Sequence, residues 1–196
     1  MERMQDVFIS YRRSDATEFV WWLRDHLCAE FGEHRVFRDA DSLEAGAELP
    51  QEIEGGIKQC KIVLVVIGRG WLVPNEKTGQ ARLKDPDDWV RREIELALEW
   101  DKEIIPVFGA ATSMPARDAL PPSIHRLTDH LGYSFSDRQE TQEKVDWPVL
   151  LRRLRDLLEG EAAEYPPLLP ALCDREPQWN PVESLLGSLW EAAAQR

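Results

Sequence analysis

Between Lys61 and Gly68 the chain runs through Ile62-Val63-Leu64-Val65-Val66-Ile67, an unbroken apolar stretch dominated by β-branched residues. A strand of that kind has apolar side chains on both faces, so both faces must be covered. The setting that provides this is a central strand of a parallel sheet, sandwiched between two layers of helices. The flanking sequence agrees. Asp6 to Tyr11, Val36 to Arg38 and Glu103 to Phe108 read as further strands, and a weak fifth lies near His130 to Phe135. Helical periodicity separates them. Asp15 is placed to cap a helix whose inner face is Phe19, Val20, Leu23 and Leu27. Pro50 opens a second helix with Ile53 and Ile57. A third reaches about Trp100 on a stripe of Val90, Ile94, Ala97 and Leu98. A last one, from about Glu140 to Leu158, turns Val145, Val149, Leu150, Leu154 and Leu157 inward. Strands and helices alternating at this spacing make βαβ units, hence an α/β three-layer fold.

The 196 residues suffice for one such domain and a short extension. From residue 159 the texture changes. Tyr165-Pro166-Pro167 and Pro170 read as a linker, and Val182 to Ala194 as a further amphipathic helix leading toward another module. A net charge of −12 argues against non-specific binding to nucleic acid or anionic lipid. The longest apolar run is far short of the roughly 18 residues that cross a bilayer. Cys28, Cys60 and Cys173 have no CxxC spacing, which fits free thiols in a reducing cytoplasm. His125 and His130 lack companions for a metal site, and none is expected.

In a parallel sheet, ligands sit at the carboxyl ends of the strands, near the point where strand order reverses. Here that rim would hold Arg12-Arg13, the polar segment Asp39 to Glu48, and Trp71. One helix edge adds a distinctive pair. Trp89 and Glu93 are four residues apart, so a ring and a carboxylate lie one above the other. At about 100° per residue they fall beside the apolar stripe, not within it.

Three stretches, in order, resemble the TIR (Toll/interleukin-1 receptor) domain family over residues 4–158. Asp6-Val7-Phe8-Ile9-Ser10-Tyr11-Arg12-Arg13 resembles the family's first signature strand. Phe37-Arg38-Asp39-Ala40-Asp41-Ser42-Leu43-Glu44-Ala45-Gly46 resembles its BB loop in the form common among bacterial members. Asp88-Trp89-Val90-Arg91-Arg92-Glu93-Ile94 resembles the WxxxE region that carries the catalytic glutamate in TIR domains that consume NAD. The resemblance implies a flavodoxin-like sandwich whose five-stranded parallel sheet has the order 2-1-3-4-5. For the enzymatic branch it implies cleavage of NAD+ at the nicotinamide–ribose bond, giving ADP-ribose or a cyclic isomer in bacterial defence signalling. NAD+ is then a substrate, and no cofactor is called for. It also implies that other TIR domains are partners, through BB-loop self-assembly that switches activity on. Carried over by position, Glu93 is the catalytic acid and Trp89 the stacking ring, with Arg12, Arg13 and Glu44 as ligand contacts. Tyr11, Phe37, Asp39 and Trp71, at the ends of the first three strands, are counted with them, although for Trp71 packing is favoured over ligand contact.

These residue types suit the chemistry. Nicotinamide in NAD+ is already a cationic leaving group, so no acid is needed to protonate it. One carboxylate near the ribose can orient the sugar and stabilise the positive charge that grows at the anomeric carbon. Guanidinium groups suit a pyrophosphate. Two other readings stand beside this one: a module that only recruits TIR domains, and a nucleoside-processing enzyme of related fold.

Overall fold

The computed structural model describes residues 6–38, 49–74, 79–109 and 111–160. Five strands, β1 (Val7–Ser10), β2 (Val36–Arg38), β3 (Ile62–Ile67), β4 (Glu103–Phe108) and β5 (Tyr133–Ser134), form one sheet. Their order is β2-β1-β3-β4-β5 and every pairing is parallel. β3 lies at the centre with all six residues buried, as its apolar run requires. Register is set by β1: Phe8 pairs with Phe37 on one side and with Val63 on the other.

The helices are α1 (Thr17–Phe31), α2 (Leu49–Gln59), α3 (Trp89–Glu99), a short α4 (Gln139–Thr141) and α5 (Trp147–Glu159). Strand alternation divides the core into two layers. Phe8, Val63, Val65 and Ile67 face α2 and α3, with Ile57, Ile94 and Ala97. Val7, Ile9, Leu64 and Val66 face α1 and α5, with Leu23, Leu27, Leu150 and Leu154. Between β4 and β5 a 3-10 segment, Pro122–Asp129, covers the α3 side by burying Ile124 and Leu127.

Two local expectations are corrected. Asp15 does not cap α1, which starts without a side-chain cap. Its carboxylate accepts the Gly70 N–H at 2.5 Å and fills the space where a Cβ on Gly68 would stand. The last helix is also broken. A wide π-type turn at Gln142–Asp146 separates α4 from α5 and takes up an additional residue, which shifts the helical phase. Trp147, Leu150, Leu154 and Leu158 then point inward, while Val145 and Val149 are 55% and 44% exposed. The expected linker and helix beyond Gly160 lie outside the described residues. No described helix is long and apolar enough to cross a membrane.

Candidate active site

The start of α3 is tied to the end of β1 at two points. Asp88 caps the helix, accepting the Arg91 N–H at 3.1 Å. Its carboxylate also receives both terminal nitrogens of Arg12, at 2.9 and 3.2 Å, with the two side chains only 7% and 10% exposed. One turn along, Ser10 donates its hydroxyl to Glu93 Oε2 at 2.5 Å. Ser10 is fully buried and Glu93 is 1% exposed. Along β1 the side facing α2 and α3 thus changes from Phe8, packed in the core, to a hydroxyl that meets an acid.

Beside this junction lies a cavity of about 510 Å3. Tyr11, Arg12 and Arg13 line it from the end of β1, Ile53 from α2, and Arg82, Asp85, Asp87, Asp88, Trp89 and Val90 from the segment that leads into α3. The indole of Trp89 is 40% exposed, and the Arg92 guanidinium sits 5.9 Å from its centroid. Since Arg12 and Asp88 neutralise each other, the other charges in the wall are Arg13 and Arg82 against Asp85 and Asp87. The cavity therefore offers a flat ring, two guanidinium groups and polar rims, a combination suited to a nucleotide.

The structure brings Tyr11, Arg12, Arg13 and Trp89 together around this cavity. It places Glu93 differently from the helical-wheel expectation of a position beside the apolar stripe. The carboxylate is inside the interface, drawn in by Ser10, and does not itself line the cavity. The residues next to the pair, Tyr11 and Val90, do line it. Phe37 is in the core, its ring stacked on Phe8 at 5.2 Å. Trp71 is 1% exposed beside a separate recess formed with Ile67, Leu72, Thr112 and Met114, so packing describes it. Asp39 and Glu44 lie outside the described residues.

Sequence reasoning missed Ser10, Asp88 and Arg82. Ser10 had a faint signal, a polar residue on an otherwise apolar strand, but nothing local named its partner 83 residues away. Asp88 directly precedes Trp89, where a capping residue can stand, yet its second bond, to Arg12, is visible only in three dimensions.

Titratable groups elsewhere in the domain are shifted by their surroundings. Burial pushes the Cys60 thiol up to about 12. Glu95, on the outer side of α3, feels an opposing burial effect, but hydrogen bonds from Ser123 and Arg91 outweigh it and hold its carboxyl below the ordinary value. Among the described residues no His, Cys, Asp or Glu cluster could hold a metal ion.

The family pattern described as "TIR domain" matches residues 7–145. The chain is 31% identical over 136 residues to the NAD(+) hydrolase tir-1 of Caenorhabditis elegans, a match covering 69% of this chain and 13% of that protein. It is 30% identical over 135 residues to the NAD(+) hydrolase sarm1 of Drosophila melanogaster, covering 69% of this chain and 9% of the relative. The chain thus corresponds to a small part of these relatives. Among solved structures, the TIR domains of the activated Roq1 resistosome superpose with a TM-score of 0.57 at 15% identity, over 76% of this chain and 99% of that one. That likeness is one of fold.

Proposed function

Because the chain belongs to the TIR domain family, we propose that it is an NAD+ nucleosidase in which Glu93 is the acting carboxylate. The observation that carries this reading is the start of α3: it sets the Trp89 ring in the wall of a nucleotide-sized cavity and, one turn further, an acid held by Ser10. The similarity to two NAD(+) hydrolases supports the same chemistry. In the reaction, the bond between the ribose C1′ and the nicotinamide nitrogen breaks. The electron pair leaves with the ring, which becomes neutral nicotinamide, and positive charge is left on the ribose. Glu93 stabilises that charge. Trp89 stacks on the nucleotide, and Arg12 and Arg13, together with Glu44 and Asp39, hold the remainder. Water then adds to C1′ and loses a proton to give ADP-ribose; attack by an adenine nitrogen instead gives a cyclic isomer.

In this reading the enclosed Glu93 marks a resting state. Substrate reaches it when the Tyr11–Val90 part of the wall yields, and self-assembly through the BB loop is the trigger, in a bacterial defence response. The same enclosure favours the second reading, a TIR–TIR interaction module without catalysis. Chromatography of NAD+ incubated with concentrated protein separates the two. Wild type is expected to release nicotinamide, and Glu93→Ala to do so about 10²–10³ times more slowly. Equal release from both proteins removes Glu93 from the mechanism, and intact NAD+ with a self-associating wild type establishes the module.

A further inference from the structure

We infer that Ser10 is a positioning residue for the reaction, fixing the Glu93 carboxylate through the hydrogen bond that joins the end of β1 to the second turn of α3. The inference rests on the nucleosidase reading above and adds a residue to it. Glu93 reaches its place on a side chain with three rotatable bonds, and a catalytic group must be held within about 0.5 Å of its productive position. Ser10 is anchored far better. β1 is flanked by β2 and β3, and Ser10 itself pairs with Val65 in register.

Its hydroxyl donates to Oε2 at 2.5 Å, a short bond between two side chains that are both out of water. An apolar pair here would avoid the cost of desolvating a carboxylate. A buried serine facing a buried acid, next to Tyr11 and Val90 of the cavity wall, fits a requirement of the chemistry better than a requirement of packing.

The test is steady-state kinetics of nicotinamide release for wild type, Ser10→Ala, Ser10→Thr, Ser10→Cys and Glu93→Ala, at one protein concentration and with folding followed by circular dichroism. Ser10→Ala is expected to lower kcat about 10–100-fold, the range for losing a hydrogen bond to a charged group, with KM within about twofold. Threonine keeps the hydroxyl and is expected to recover most of kcat. Cysteine matches the size of serine but donates weakly, so it is expected to stay low while folded. An alanine or cysteine variant with wild-type or higher kcat overturns the inference, as does a folded threonine variant as slow as alanine. If Glu93→Ala is slow while Ser10→Ala matches wild type, the inference fails alone. Should Glu93→Ala match wild type, or wild type leave NAD+ intact, the nucleosidase reading fails and takes this role with it.

Discussion

Glu93 has a carboxyl group that bulk water would solvate far better than a helix–sheet interface does, and Ser10 on the neighbouring strand supplies a hydrogen-bond donor in place of water. Removing a carboxylate from water without hydrogen bonds costs several kcal/mol. The spacing of Trp89 and Glu93 was legible along the chain because i,i+4 geometry is local. The depth of Glu93 was not, because it depends on Ser10 in another element. Trp71 and Phe37 illustrate the converse. Both stand next to rim residues in sequence, but large rings at sheet ends gain more by burial than by facing a ligand. Cys60 is a clear case at this scale. It is 1% exposed, and burial raises its thiol to about 12, so it stays neutral at lower pH. Alkylation by iodoacetamide at pH 8, followed by mass spectrometry, should spare Cys60 in the folded domain and modify it after denaturation. Rapid modification of Cys60 in the native state would contradict the packing around it.

At the scale of elements, the strands were legible because their apolar runs and their alternation with helices call for a parallel sheet covered on both faces, while the order 2-1-3-4-5 came from the family resemblance. β3 is the strongest example, since both its faces meet helices, as its sequence demands. The last helix was less legible. A π-type turn changes the phase of every residue after it, and periodicity alone cannot show an extra residue within a turn. The cap of α1 failed for a related reason, because Asp15 found a backbone donor at Gly70 rather than on its own helix. The observed phase of α5 makes a direct prediction. Leu154→Ala, at a fully buried position, should lower stability by about 2–5 kcal/mol in chemical denaturation, while Val149→Thr on the exposed side should stay within about 0.5 kcal/mol. A loss for Val149→Thr as large as that for Leu154→Ala would restore the continuous helix read from the sequence. The two ties between β1 and α3 belong to this scale too. Arg12–Asp88 and Ser10–Glu93 fasten a helix start to a strand end, so the wall holding Trp89 moves with the sheet.

For the whole molecule, the family and its fold follow from three motifs in order, confirmed by the strand order and by the family match over residues 7–145. In the proposed reading, activity depends on assembly, since the proposed carboxylate is enclosed. A net charge of −12 makes copies of the chain repel one another over long range at low salt. Assembly is therefore expected to need high protein concentration at a salt near 0.15 M, where the Debye length is about 8 Å. The measurement that tests this account most directly is nicotinamide release per mole of protein across a concentration series in that salt, with wild type and Glu93→Gln run side by side. The account predicts a wild-type specific rate that climbs steeply with concentration and a glutamine variant that stays at background throughout. A specific rate independent of concentration would contradict activation by assembly, and a glutamine variant that keeps pace with wild type would contradict the role given to Glu93.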